Sequence, residues 1–418
     1  MNLRLLITFS IILAIFIIID IYLWKAYSKT TKNKAFKFLR WGIPITSLLF
    51  FIGVFSLTYR STQEFYISSS WINFTIGLGV GIVVVKIIAV IPFLLEDITR
   101  YSIHFKKLIL KRRVSKASFH SRRNFVKNIS LSAAFIPLMG TLYAITKGKY
   151  NYHNKKLDLS LKRLPKAFEG FKIVHFTDFH AGSFDNYEKV QQGLDLINEE
   201  KPDIILFTGD LINNRISEAI PYFELFKNLK AKYGKFAVLG NHDYGDYVPF
   251  NSDEEREAHL TQIDEFYRNT GFTLLNNQNV SIEKNGESID IVGVENWGSG
   301  RFPKYGDIKL ASQGLDDNSC KILMSHDPEH WEHVIREYPT FYDLTLSGHT
   351  HGFQAGVNIP GIKWSPAQYR YKRWLGLYKE DGRYLFVSKG FGFLGFPGRI
   401  GMTPEIVTFR LFQNSHSV

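Results

Sequence analysis

The chain has 418 residues, a formal net charge of +12 at pH 7 and one cysteine, which is length for two or three domains and excludes an internal disulfide. Residues 1–150 hold 21 Lys/Arg against 4 Asp/Glu, a net of +17, whereas residues 151–418 hold 30 against 35, a net of −5. A basic excess confined to the most apolar third is a membrane pattern, and it argues against both a soluble protein and a nucleic-acid partner.

A membrane-crossing helix needs about 20 mostly apolar residues. The segments 5–24, 43–59 and 71–95 meet that requirement, and 129–146 meets it more weakly because it contains Pro137 and Gly140. Six Lys/Arg and no acid lie in 25–40, ten Lys/Arg against Glu96 and Asp97 lie in 96–128, and only Arg60 and Glu64 lie in 60–70. Cations collect on the cytoplasmic side. Residues 1–128 therefore read as three transmembrane helices with basic cytoplasmic loops. Ser121-Arg122-Arg123-Asn124-Phe125-Val126-Lys127 resembles a twin-arginine export signal, here internal. The segment 129–150 is then a fourth span or part of such a signal. Both alternatives place residues 151–418 on the exoplasmic side; if 129–146 does not span, they are cytoplasmic. Asp20 and Lys86 fall inside the spans. Asp20 is expected to snorkel from a helix end, and Lys86 to be a packing or lipid-facing defect.

Residues 147–170 read as a linker. Beyond them, short apolar runs recur, and each stops at a polar cluster. Phe171–Thr177 stops at Asp178-Phe179-His180, and Asp203–Thr208 at Gly209-Asp210. Lys235–Leu239 stops at Gly240-Asn241-His242-Asp243. Cys320–Ser325 stops at His326-Asp327, and Leu344–Ser347 at Gly348-His349-Thr350-His351. Such runs are expected of buried strands. Helices are expected over Tyr187–Glu200 and Ser217–Lys230, and another from the Ser252-Asp253-Glu254-Glu255 capping box to about Asn269. Asn285-Gly286 is expected to turn a hairpin between Asn279–Glu283 and Ile289–Val294. Arg383–Val387 and Glu405–Leu411 supply late strands. Strands alternating with helices predict an α/β layered domain.

In open α/β sheets, ligands bind beyond the carboxyl ends of strands. Five of the 13 histidines stand there, with Asp178, Asp210 and Asn241. Asp, His and Asn suit borderline divalent cations such as Mn²⁺, Fe²⁺ or Zn²⁺. Seven such residues exceed one tetrahedral site and suit two metals sharing a carboxylate, an arrangement that clamps a phosphate and activates water.

The order Asp-x-His, Gly-Asp, Gly-Asn-His-Asp, His, Gly-His-x-His resembles that of the calcineurin-like metallophosphoesterases, over about 171–411. The tail Gly390-Phe391-Gly392, Arg399, Pro404-Glu405-Ile406 is similar to a membrane-associated bacterial subgroup that includes UDP-2,3-diacylglucosamine pyrophosphohydrolase-like enzymes. The resemblance implies a four-layer αββα sandwich and two divalent metal ions. Asp178, His180 and His351 would hold the first, Asn241, His326 and His349 the second, and Asp210 would bridge them. His242 would contact the phosphate and protonate the leaving oxygen, with Asp243 orienting it. Asn241, His242 and Arg399 are the expected substrate contacts. The implied reaction is hydrolysis of a phosphodiester, phosphomonoester or pyrophosphate, with a lipid-linked phosphate favoured by the membrane anchor. No obligate protein partner is implied. The alternative is a membrane sensor or scaffold with a degenerate site, and the intact ligand set argues against it.

The remaining candidates have plainer readings. His175 is expected to pack inside its strand, and His330 and His333 to lie at the surface or behind the ligands. Residues 391–399 are either a lipid-contacting loop that places Arg399 on a phosphate or an aromatic core turn. Trp364, Tyr369, Tyr371 and Trp374, interleaved with Arg370, Lys372 and Arg373, suit a membrane interface or a substrate loop. Trp297 and Arg301 are candidate pocket residues.

Overall fold

The computed structural model describes residues 3–28, 40–61, 70–110, 119–300 and 304–413, in two compact units that divide after Ile145. Most of the basic segment 25–40, most of 60–70, and Arg301 lie outside the described residues.

The first unit is helical: α1 (Leu3–Ser28), α2 (Gly42–Ser61), α3 (Ser70–Ile109) and α4 (Phe119–Thr146). Three apolar stretches, Ser10–Ser28, Asn73–Ile109 and Arg122–Tyr150, are long and apolar enough to cross a membrane. Residues 96–109, expected in a cytoplasmic loop, instead continue α3, which passes through Pro92. The twin-arginine stretch forms the first turns of α4. Asp20 and Lys86 do not behave as expected. Both are buried, and Lys86 Nζ donates to Asp20 Oδ1 at 2.8 Å and to the carbonyl of Ile43 at 2.6 Å. An ammonium and a carboxylate inside a helix bundle are each costly alone, so they pair across α1, α2 and α3 rather than reaching for the interface. Ser130 similarly donates to the carbonyl of Ala89, tying α4 to α3.

The second unit contains two six-stranded sheets. One has the order β1 (His153–Leu161), β14 (Glu405–Gln413), β2 (Phe171–Phe176), β3 (Ile204–Phe207), β4 (Gly234–Ala237), β5 (Phe272–Leu274). The other has the order β12 (Gly376–Glu380), β13 (Arg383–Val387), β9 (Leu344–Ser347), β8 (Cys320–Met324), β7 (Glu287–Gly293), β6 (Gln278–Lys284). The period-two alternation of strands builds four layers. Ile173, Leu206 and Phe236 from one sheet meet Ile291, Ile322 and Phe386 from the other in a shared core. On the outer face of the first sheet, Val174, Ile205 and Phe207 pack on α5 (Tyr187–Glu199) and α7 (Asp253–Asn269). On the outer face of the second, Leu323 and Leu385 pack on α8 (Ile308–Ala311) and α9 (Pro328–His333). This is the αββα sandwich.

Local expectations mostly hold. Asn186 and Ser252 cap α5 and α7 by accepting from the backbone N–H of Lys189 and Glu255. Asn285 and Gly286, with φ of 53° and 79°, make the two-residue turn between β6 and β7. Two expectations fail. The linker 147–170 contains β1, which pairs parallel with β14 at the sheet edge. Its sequence HNKKLDLSL is too polar to read as a strand because only part of one face is buried. The helix expected over Ser217–Lys230 breaks into two 3₁₀ turns and the short α6 (Phe223–Lys227). Pro221 has no N–H to continue a helix, which explains the break.

Candidate metal centre

The polar clusters ending β2, β3, β4, β8 and β9 converge at one edge of the sandwich. Asp178, His180 and His351 offer ligand atoms within 4.8 Å of one another, and so do Asp210, His326 and His349. Asn241 joins the second group: its Oδ1 lies 2.8 Å from His349 Nδ1 and 3.2 Å from His326 Nε2. Asp210 Oδ2 touches a member of each group, 3.5 Å from His180 Nε2 and 3.2 Å from His326 Nε2. The backbone turns needed for this convergence are unusual. Asp178, His180, Asp210, His349 and His351 all have φ between 50° and 69°. Left-handed backbone is unfavourable for such side chains and collects at functional sites. The loops hold one another in it: Asp178 N–H donates to the carbonyl of Gly209, His180 N–H to that of Asp210, and His349 N–H to Asp178 Oδ1. Gly348 is obligatory here, since a Cβ would meet Asp178 Oδ2 at 2.2 Å.

Burial pushes the Asp178 carboxyl up to about 7, against the attraction of His326, and pushes the His180 imidazole down to about 3. Burial also opposes charge on His326, but Asp210 beside it overcomes this and raises that imidazole to about 10. Around Asp210, burial favours the neutral acid, yet His326, His242 and His180 together hold it well below the usual carboxylate range. The site thus gathers carboxylates in a desolvated place with too few side-chain cations to balance them. Asp178 Oδ2 and His180 Nδ1 are buried with no hydrogen-bond partner among the described residues. Orphaned donor atoms among carboxylate, imidazole and amide ligands fit divalent cations.

Residues 171–353 match the family model for calcineurin-like phosphoesterases, and residues 3–149 match that for a probable calcineurin-like phosphoesterase transmembrane domain. The chain is 30% identical over 301 residues to the metallophosphoesterase YkuE of Bacillus subtilis, covering 70% of this chain and 97% of that one. It is 30% identical over 259 residues to a metallophosphoesterase of Aquifex aeolicus, covering 60% and 89%. A Helicobacter pylori metallophosphoesterase is 28% identical over 300 residues, covering 71% and 74%. The chain belongs to the metallophosphoesterases. It is a membrane-integrated member, with a phosphoester-hydrolase domain that uses divalent metals.

Two expected roles change in this metallophosphoesterase. Asp243 does not orient His242. Its carboxylate is fully buried and accepts the backbone N–H groups of Asp210, Leu211, Ile212 and Gly240. The Gly240-Asn241-His242-Asp243 turn directs that side chain inward, beneath the loop carrying Asp210. His242 is instead held by Nδ1, 2.7 Å from the carbonyl of Asn213, while its own N–H donates to Asp210 Oδ1 at 2.9 Å. Arg399 is no substrate contact. Its guanidinium is wholly buried and donates to the carbonyls of Gly392, Met402 and Lys389, with Nη2 3.2 Å from His351 Nδ1. Residues 391–399 form an aromatic core turn, with Phe391 and Phe393 buried against α5's layer. Leu394 and Phe396 in the same turn are half-buried.

Other candidates settle more simply. His175 is buried beside Thr208 Oγ1 at 2.8 Å. His330 is buried 2.9 Å from Ser325 Oγ, His333 is exposed near Glu329, and Trp297 stacks on both imidazoles. Tyr371 and Trp374 are buried, whereas Trp364 and Tyr369 are exposed. Tyr247 reaches the site without having carried a motif signal, and Tyr371, expected at a membrane interface or in a substrate loop, reaches it too. Asn241 Nδ2 donates to the Tyr247 hydroxyl at 2.6 Å, which turns the amide oxygen inward, and the Tyr247 ring lies 4.4 Å from that of His242. The Tyr371 hydroxyl lies 3.2 Å from His349 Nε2. Only the polar residues within Gly240–Tyr247 hinted at the first.

Proposed function

We propose that the chain is a dinuclear phosphoesterase whose catalytic unit faces the exoplasmic side of a bacterial cytoplasmic membrane, and that it hydrolyses a phosphodiester, phosphomonoester or pyrophosphate of a lipid-linked compound. The observation that carries the dinuclear reading is the position of Asp210 between two ligand groups, within 3.5 Å of a histidine of each. Asp178, His180 and His351 would hold one ion, Asn241, His326 and His349 the other, and Asp210 both. Two divalent ions, when bound, polarise the phosphate and activate the attacking water.

The chain's own residues supply positioning and a proton. Donation from His242 Nδ1–H to the Asn213 carbonyl leaves Nε2 to carry a proton to the departing oxygen. Asp243 holds four backbone N–H groups and so fixes the turn presenting both Asp210 and His242. The cationic segments of the helical region support the exoplasmic placement, and the tether to a bilayer supports a lipid-linked substrate. Protein purified with Mn²⁺ is to be offered bis(p-nitrophenyl) phosphate, p-nitrophenyl phosphate and lipid phosphates. Turnover of at least one, lost on substituting Asp210 by Asn, is the expected result. Turnover unchanged in that variant contradicts the assignment.

A further inference from the structure

A two-stranded hairpin outside both main sheets, β10 (Val357–Ile359) and β11 (Ile362–Trp364), begins six residues after His351. Its register pairs Val357 with Trp364, Asn358 with Lys363 and Ile359 with Ile362. Opposed residues share a face of an antiparallel pair, and so do residues two apart. One face is therefore Val357, Ile359, Ile362 and Trp364, wholly apolar, and the other is Asn358 and Lys363. All four apolar side chains are 39–55% exposed. Asn358 and Lys363 are exposed too, but Lys363 Nζ reaches back to the body of the unit, donating to the carbonyl of Leu375 and lying 5.0 Å from the Trp374 ring. Ser365 Oγ, donating to the carbonyl of Gly352, and Gly356 N–H, donating to that of Ile400, fix the base. The apolar face is thus left about half exposed among the described residues. An isolated hairpin is marginal in water, and this one presents its aliphatic face to solvent.

We infer that this face lies in the interfacial layer of a lipid bilayer. The chain is tied to a bilayer by its own spans, so that surface is always within reach. The chemistry beside the face suits it: Tyr369 is 79% exposed, and Arg370 next to it is exposed as well. Aromatic rings, aliphatic side chains and cations together are the composition that settles at anionic headgroups. The hairpin also leads to the metal centre, since Phe353 is half exposed and lies 6.2 Å from the Tyr371 ring, whose hydroxyl reaches His349. This deepens the proposed function, on which its catalytic part rests: the site takes phosphate groups presented at a membrane surface.

The test uses the full chain in vesicles of phosphatidylcholine with and without phosphatidylglycerol. Ile362→Cys carries an environment-sensitive fluorophore, and Glu188→Cys, exposed on α5, carries it as control; Cys320 is buried. The label at 362 is expected to shift to the blue and to be quenched by lipids bearing a spin label, more strongly with the anionic lipid, while that at 188 is not. A label at 362 that stays water-like and unquenched overturns the inference. So does a blue shift already present in detergent that depends on protein concentration, since a second copy would then cover the face. In the second arm, the double substitution Ile359→Asp, Ile362→Asp should lower hydrolysis of a lipid phosphate in the same vesicles roughly tenfold or more and leave hydrolysis of soluble bis(p-nitrophenyl) phosphate unchanged. An equal loss on both substrates overturns the docking role. Failure of the unsubstituted protein to hydrolyse either substrate contradicts the proposed function, whereas the quenching arm is read without turnover.

Discussion

His242 is held at Nδ1 by a carbonyl and flanked by the Tyr247 ring, so a single nitrogen remains for proton transfer. Replacing it with Ala should cost about 10²–10⁴-fold in kcat, the range for losing a general acid, with metal content retained; an unchanged rate removes it from the mechanism. Tyr247→Phe removes the hydroxyl that turns the Asn241 amide, and metal affinity or activity should fall by about 10–100-fold. Buried histidines away from the ligand set make the protein acid-labile. Burial holds His175 and His330 down at about 3, against about 6.5 in an unfolded chain. The unfolded chain then binds more protons between those values, so stability present above about pH 6.5 is lost as pH falls toward 3. Each contributes up to about 2 kcal/mol of loss between pH 6.5 and 5. Thermal midpoints should drop over that interval, less so in His330→Asn; a midpoint independent of pH from 7 to 5 contradicts this. At this scale the residues that converge at the centre were legible because they follow apolar runs directly. Tyr247 was not, because its approach depends on a loop path with no local pattern, and Tyr371 was legible only as part of an aromatic and basic stretch. The inward direction of Asp243 was hidden too, since adjacency to His242 says nothing about where a turn sends a side chain.

At the scale of elements, the loops behind the strands hold the centre together. Gly392 N–H donates to the carbonyl of Asp178, and a Cβ at Gly392 would lie 1.9 Å from the carbonyl oxygen of Phe179. Gly392→Ala must therefore separate the turn after β13 from the turn carrying Asp178 and His180. It should reduce metal binding, measured by calorimetry, while far-ultraviolet dichroism is retained; normal metal affinity contradicts the coupling. Arg399 acts in the same place. Its buried guanidinium satisfies three carbonyls, and hydrogen bonds to charged groups are worth about 1.5–3 kcal/mol each. Arg399→Leu should destabilise by more than about 2 kcal/mol, and the denaturation midpoint checks it. Strands with continuous apolar runs, such as β2, β3 and β8, were plain in the sequence because both faces are buried. Edge strand β1 and the 216–227 segment were not. In the first, solvent on one side permits Lys and Asp; in the second, Pro221 interrupts a pattern that otherwise has helical spacing.

For the whole molecule, the charge of +12 is an average over two unlike units. The cationic excess belongs to residues 1–150 and bears on their orientation, while residues 151–418 are mildly acidic and bury Asp178 and Asp210 at a centre that divalent ions would balance. The proposed sidedness rests on a rule about flanking charge. A reporter active only in the cytoplasm, fused after Gly148, should be silent; activity there reverses the orientation. The polar pair Asp20–Lys86 shows the limit of reading spans separately, because neither residue announces its partner on another helix. Seven side chains are proposed to hold two divalent ions that drive phosphoester hydrolysis. The most direct measurement is metal content together with turnover of bis(p-nitrophenyl) phosphate by the full chain, with Asp210→Asn alongside. About two equivalents of divalent metal per chain and hydrolysis are expected, both reduced in the variant. A protein that binds no metal and hydrolyses nothing, or one whose turnover is indifferent to Asp210, contradicts the proposal.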